Sequence, residues 1–309
     1  MPTAEDLAAA AEVVGAALAP TPVLATPSLG DGVVCKLETF QPTGSFKVRG
    51  GLAAVHRAAR DGVAVVTASA GNHGLGVAYA ATRFGVDATV VIPENASEKK
   101  RAALERFAVT LVRHGHSYED AEAHALSLAA SRHIRFVSPY NDPDTIAGQS
   151  TIVTELRSQL DEIRTIVVPI GGGGLVSGVA LAAPDGVRVV GVVPEASPAM
   201  LRAYERGAVE HVDIAPTLAD GLAGNLEPDT VTFPIIRERV ESIVAVTEEE
   251  IGAAVRTLVY DHGVVTEGSG AVGVAALQTG KVRADGTTVV LLTGRNIAPA
   301  TLVEVLGER

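Results

Sequence analysis

The chain has 309 residues, 25 Lys and Arg against 36 Asp and Glu, and 47% hydrophobic residues. This composition excludes a disordered, collagen-like or disulfide-rich chain, and the length suits about two domains. A net charge of -11 offers no basic field for nucleic acid or an anionic membrane surface, so the expected partner is a small molecule.

In chain order, Leu7, Ala10, Ala11, Val14, Ala17 and Leu18 fall at helical spacing, with Glu5 and Asp6 near the positive end of the helix dipole. Pro20 and Pro22 end that helix. No Lys or Arg precedes Lys36, so no secretory signal is read. Cys35 is the single cysteine; it lies in the apolar run Val33-Val34-Cys35 and reads as a core residue of a cytoplasmic protein. Val/Ile-rich runs predict strands near 33–38, 63–68, 88–92, 109–112, 134–137, 165–169, 188–193, 243–246 and 288–292. Helices are predicted near 46–60, 73–84, 97–106, 118–131, 145–160, 175–183, 198–206, 248–262 and 268–279. The uncharged stretch 165–184 is long enough to span a bilayer, but Gly171 to Gly174 would break a helix there, so strand, turn and helix are read instead.

This alternation argues for parallel sheets covered by helices on both faces. About nine strands exceed one comfortable sheet in a chain of this size. The expected architecture is therefore α/β, two open, twisted, mostly parallel-sheet lobes with helices on both faces and a ligand cleft between them. Residues 1–45 and 142–309 are assigned to the larger lobe and 46–141 to the smaller.

Three segments have the residue types of a site. After the strand near 165–169, Gly171-Gly172-Gly173-Gly174 opens a helix at Leu175, so backbone N–H groups and the helix dipole converge on an anion such as phosphate. The spacing fits neither G-x-G-x-x-G, whose frames end at Val176 and Ser177, nor a P-loop, since no Lys follows. A tight turn that merely needs glycine is the bland alternative. The second segment, Ser69-Ala70-Gly71-Asn72-His73, ends a buried strand and opens a helix whose free N–H groups suit a carboxylate; Ser69 or Asn72 alone would read equally as a helix N-cap. The third is Gln41-Pro42-Thr43-Gly44-Ser45-Phe46-Lys47-Val48-Arg49-Gly50. Ser45 is a candidate N-cap there, and Lys47 falls in the first helical turn, where the dipole disfavours a cation and helps supply a neutral amine. Taken by spacing alone, a solvated surface lysine is the commoner reading.

A phosphate cradle, a carboxylate-binding loop and a nucleophilic lysine together are what a pyridoxal-phosphate site acting on amino acids demands. The three motifs resemble those of the threonine/serine dehydratase group of fold-type II pyridoxal-phosphate enzymes, of tryptophan synthase β-like architecture, over nearly the whole chain. The resemblance implies that Lys47 holds the cofactor as a Schiff base, that Phe46 walls its ring, and that Asn72 bonds its phenolic oxygen. It implies that Gly171, Gly172, Gly173, Gly174 and Leu175 hold the phosphate, that Thr293 lies at the pyridine nitrogen, and that Glu267 lies near the ring. Ser69, Ala70, Gly71, Asn72 and His73 match the pocket for the substrate carboxylate. The implied reaction is dehydration and deamination of L-threonine or L-serine to a 2-oxo acid and ammonia, in a cytoplasmic homodimer. Alternatives are a serine racemase, a 3-hydroxyaspartate dehydratase, or a catalytically silent protein that binds the cofactor or an amino acid.

Departures from the group sharpen this expectation. Serine racemases carry a serine, their second acid/base, where this chain has Ala70, so elimination is expected and racemisation is not. Their metal-binding glutamate and aspartate match Val193 and Ala199, so no metal is expected, although Glu195 or Asp220 could supply a different site. Arg295 replaces a more usual glycine and either pairs with a second substrate carboxylate or faces outward. No C-terminal regulatory domain is expected beyond the helix read over 299–306.

Overall fold

The computed structural model describes residues 1–307. In chain order its elements are α1 (Ala4–Ala17), β1 (Val23–Ala25), β2 (Val33–Leu37), α2 (Lys47–Asp61), β3 (Val65–Ala68), α3 (Asn72–Phe84), β4 (Ala88–Ile92), α4 (Glu98–Leu104), β5 (Thr110–Arg113), α5 (Tyr118–Arg132), β6 (Arg135–Phe136) and α6 (Pro143–Gln159). They continue as β7 (Thr165–Pro169), α7 (Gly174–Ala182), β8 (Arg188–Pro194), α8 (Ala199–Arg206), α9 (Thr232–Arg239), β9 (Ser242–Val246), α10 (Glu248–Tyr260), α11 (Gly268–Gln278), β10 (Thr288–Leu292) and α12 (Pro299–Gly307).

The chain divides into two compact units, one of residue 1, 20–46 and 152 onward, the other of 2–19 and 47–151. Unit one is built on a six-stranded sheet in the order β1-β2-β10-β7-β8-β9, in which every pairing is parallel except β1 with β2. Strand β10 shows why its strands read as unbroken apolar runs. Side chains alternate between faces, and Val290 and Leu292 enter one core with Ile251, Val255 and Val272, while Val289 and Leu291 enter the other with Ile166, Val176 and Ile236. Cys35 lies wholly inside the first core, where desolvation pushes its thiol up to about 11.

Unit two carries a parallel four-stranded sheet in the order β5-β4-β3-β6. Helix α1 belongs to this unit, because Val14 and Leu18 pack with Val48, Leu52 and Val55. The sequence had placed 1–45 in the other lobe. The first half of α6 also belongs here and not beyond a boundary at 141: a Cβ on Gly148 would lie 2.5 Å from the Arg49 carbonyl oxygen, so the two helices meet backbone to backbone. Elements absent from the sequence reading are β1, only three residues long, and α9, whose Pro234 reads as a breaker but is tolerated in a first turn. No helix among the described residues is long and apolar enough to cross a membrane, and the stretch 165–184 holds β7, the glycine turn and α7.

Unit one buries a charge. Lys36 on β2 is fully inaccessible, and its Nζ donates to Glu155 Oε2 at 2.7 Å, Thr21 O at 2.8 Å and Gln159 Oε1 at 2.8 Å. Removing one member of such a pair strands the other in low dielectric. Lys36→Met should therefore destabilise the protein by about 3–5 kcal/mol, read as a lowered urea midpoint, and Lys36→Met with Glu155→Met should recover part of that loss. Cys35 should resist iodoacetamide in the native protein and react only on unfolding.

Candidate cofactor and substrate site

In unit one, the chain leaves β7 at Ile170 and turns through Gly171–Gly174 into α7. Gly173 is the N-cap, at φ +90°, and an added Cβ would lie 2.7 Å from Ile236 Cδ1 and 2.9 Å from Thr232 Oγ1, so only glycine fits. Thr232 Oγ1 donates to Gly172 O at 2.8 Å and braces the turn from α9. No side chain caps α7 and no acidic residue lies in its first turn, which leaves its N-terminal N–H groups to an anion. One helical turn on, the Ser177 hydroxyl is fully buried with no hydrogen-bond partner. Sequence reasoning missed Ser177 and Thr232; Ser177 lay within the motif but carried no spacing signal.

Thr293 follows β10, is buried, and its carbonyl accepts the Phe46 N–H at 3.0 Å. Glu267, just before α11, accepts the Asn296 N–H at 3.0 Å through Oε2, and its own N–H donates to Gly294 O at 2.9 Å. Its carboxylate thus braces the 294–296 turn. A Cβ on Gly294 would lie 2.7 Å from Glu267 Oε1, which explains the glycine there. Arg295 is exposed, and its guanidinium donates to Thr39 O. Ser45 does not cap α2: its Oγ is buried without a partner, and the residue forms an isolated antiparallel bridge with Gly294.

In unit two, Lys47 is the first residue of α2, and its Nζ donates to Pro139 O at 2.8 Å. Nothing in the sequence pointed to that carbonyl. Ser69 Oγ accepts the Gly71 N–H at 3.1 Å, so it stays within its own loop. Gly71 is the N-cap of α3 and offers no side-chain bond; neither Ser69 nor Asn72 caps this helix, and its first turn keeps donors for a carboxylate. Ala70, Gly71 and Asn72 are half-buried beside it. His73 is buried, with Nε2 3.0 Å from Val137 O. Desolvation, with Lys47 nearby, pushes its imidazole down to about 3, so it is neutral at physiological pH. Val193 and Ala199 are buried and apolar, and among the described residues no group of three or more His, Cys, Asp or Glu could hold a metal ion.

The family model described as "Pyridoxal-phosphate dependent enzyme" matches residues 14–294. The L-threonine ammonia-lyase of Thermotoga maritima is 40% identical over 275 residues, 87% of this chain and 68% of the relative. The catabolic L-threonine dehydratase TdcB of Escherichia coli K12 is 36% identical over 283 residues, covering 89% and 86%. Among solved structures, maize serine racemase superposes with a TM-score of 0.91 at 30% identity, covering 98% of this chain and 96% of that one. The processed form of threonine deaminase isoform 2 from Solanum lycopersicum superposes with a TM-score of 0.89 at 28% identity, covering 100% and 96%.

The buried imidazole has a consequence for acid stability. The unfolded chain binds a proton at His73 below its ordinary value near 6.5, whereas the folded protein binds it only near 3. Stability from this group is complete above pH 6.5 and is lost as pH falls toward 3, at roughly 1.4 kcal/mol per pH unit. His73→Gln, which has nothing to protonate, should flatten the fall in urea midpoint between pH 6.5 and 4.5.

Proposed function

Because the chain belongs to the family of pyridoxal-phosphate dependent enzymes, we propose that it dehydrates and deaminates a β-hydroxy amino acid, L-threonine or L-serine, to a 2-oxo acid and ammonia. The observation that carries the reading is Lys47, whose amine heads α2 in the motif shared with the dehydratase group. The residues fit the cofactor on the structure's own terms. The uncapped α7 terminus, the Gly173 backbone that a Cβ would obstruct and the unpartnered Ser177 hydroxyl suit a phosphate, and Lys47 supplies the amine for an aldehyde.

In this reading Gly171–Gly174, Leu175 and Ser177 hold the phosphate, Phe46 walls the ring, Asn72 bonds the phenolic oxygen and Thr293 faces the pyridine nitrogen. The bound cofactor supplies a conjugated ring that takes up electrons when the substrate's Cα–H bond breaks, so that the β-hydroxyl can leave. The N–H groups at the start of α3, with Ser69 to His73, orient the substrate carboxylate. Lys47 takes the Cα proton as general base, its amine directed by the Pro139 carbonyl. A Thr293 hydroxyl is neutral and does not enforce a positive pyridine nitrogen, which favours prompt elimination over long storage of charge. The released enamine hydrolyses in water.

Ala70 argues against racemisation, because its methyl group exchanges no proton and Lys47 alone would have to serve both faces of Cα. The Arg295 guanidinium, held on Thr39 O, faces solvent in unit one, which favours the outward-facing role over a salt bridge to substrate. The resemblance extends the reading to a cytoplasmic homodimer.

Borohydride reduction of purified protein followed by peptide mapping should place the cofactor on Lys47; an unlabelled Lys47 removes this reading. A panel of β-hydroxy amino acids should yield 2-oxo acid with negligible D-serine from L-serine, while Ala70→Ser should gain racemase activity measured by chiral chromatography. Arg295→Gly should leave the substrate ranking unchanged.

A further inference from the structure

His73 has one ring nitrogen whose work is visible and one whose work is not. Val137 O accepts from Thr67 Oγ1 at 2.8 Å and lies 3.0 Å from His73 Nε2. A carbonyl only accepts, so Nε2 carries the hydrogen and Nδ1 is left as a bare lone pair. That Nδ1 is buried and has no hydrogen-bond partner. An orphaned acceptor of this kind costs about 1–3 kcal/mol, so its retention calls for an occupant.

The backbone geometry brings the start of α2 against the helix that carries His73. A Cβ on Gly76 would lie 2.7 Å from the Lys47 carbonyl oxygen and 3.0 Å from the Val48 nitrogen, so α3 meets the first turn of α2 at Gly76. His73 precedes Gly76 by three residues and shares its helix face. Both polar side chains are anchored on one short segment, His73 on Val137 O and Lys47 on Pro139 O. Lys47 is also the charge that acts on the imidazole. Of the other charged or titratable groups on elements packed against α3, Arg49 is turned onto Thr151 Oγ1, His56 lies tilted against the Phe84 ring, Arg57 pairs with Asp6 and Asp144, and Glu98, Lys99 and Lys100 of α4 are exposed, as are Arg60 and Asp61 of α2. Arg101 of α4 pairs with Glu98 and Glu105, and β3 and β4 carry no such group.

We propose that His73 is a positioning residue for Lys47: its Nδ1 accepts an N–H from the Lys47 ammonium when that amine holds the proton taken from substrate, while Pro139 O accepts another. The proposal rests on the reading of Lys47 as the proton-accepting amine. His73 holds the charged state without taking the proton, since its own protonation lies near 3 and the proton stays with the lysine. Burial of the ammonium is thereby offset by two acceptors, and the amine is kept from swinging away between turnovers.

Two variants separate this role from a merely structural one. In His73→Gln the side-chain amide nitrogen can keep the bond to Val137 O but the Nδ1 acceptor is gone; in His73→Asn the amide oxygen stands near the Nδ1 position. The probe is acetic anhydride, applied across a pH series to the full-length protein after cofactor removal with hydroxylamine, with Lys47 acylation read by peptide mass spectrometry. His73→Gln should lower the Lys47 titration midpoint by about one pH unit, a roughly tenfold change in its affinity for the proton, and His73→Asn should stay close to wild type. With the cofactor restored, His73→Gln should lower kcat with KM little changed. An unchanged Lys47 midpoint in natively folded His73→Gln overturns the proposal, as does a fall in His73→Asn equal to that in His73→Gln. Should neither variant fold, the wild-type 15N resonance of His73 Nδ1 decides: it must remain that of an unprotonated nitrogen and shift as Lys47 titrates, and a flat response overturns the assignment. Failure of borohydride to label Lys47 would defeat the functional reading but leave the acylation result as a separate test of the His73–Lys47 contact.

Discussion

The Lys36–Glu155 pair fixes the path by which the chain reaches Lys47. The ammonium of β2 is fully buried, and its carboxylate partner on α6 also accepts the Thr21 N–H at 3.1 Å. From Thr21 the network passes outward, since its hydroxyl donates to Glu38 at 2.7 Å and Gln41 Nε2 donates to the same buried carboxylate at 3.0 Å. Gln41 then begins the turn closed by the Gly44 N–H on Gln41 O at 2.8 Å. Gly44, at φ +77°, has Asn296 Oδ1 2.5 Å from where a Cβ would stand, and Asn296 Nδ2 bonds Thr43 O at 2.9 Å. A buried ion pair contributes little net stability beside an apolar isostere, but it tolerates few alternative arrangements. Here that intolerance holds residues 38–46 to one register.

The helices differ in how their N-termini are satisfied. Helices α1, α5 and α10 open with capping boxes built on Thr3, Ser117 and Thr247, and α4 is capped by Ser97. Helices α8, α9 and α11 open on Pro198, Val231 and Glu267 without a side-chain cap, and α3 and α7 open on glycine without one. Each missing cap forgoes about 0.5–2 kcal/mol, and at α3 and α7 the proposed function gives the uncapped donors a carboxylate and a phosphate to serve.

The sheet strands were legible because their alternating side chains enter two cores at once and leave continuous apolar runs, as in β10. The site motifs were legible because glycine and a lysine at a helix start are chemically unusual where they stand. Other features were written in no local pattern. Ser45 and Ser69 looked like helix caps, yet a hydroxyl's partner depends on backbone directions that composition does not encode. The Pro139 carbonyl is a main-chain atom with no side-chain signature, and the Val14 and Leu18 stripe predicted a helix without saying which sheet it would cover. Arg295 was ambiguous for the same reason, since its guanidinium found a main-chain oxygen, Thr39 O.

The side chains assigned to the reaction differ in their capacity to exchange a proton. Ala70 has nothing to offer, and Thr293 is a neutral hydroxyl. The Glu267 carboxylate is committed to the Asn296 N–H, and burial keeps His73 neutral far below physiological pH. In the proposed reaction Lys47 is the group that accepts a proton from Cα and returns it, on one face. A single base can start an elimination, which needs one proton removed and one leaving group lost. It cannot complete an inversion, which needs a donor on the opposite face. The selectivity proposed here therefore rests as much on the residues that exchange no proton as on the lysine itself.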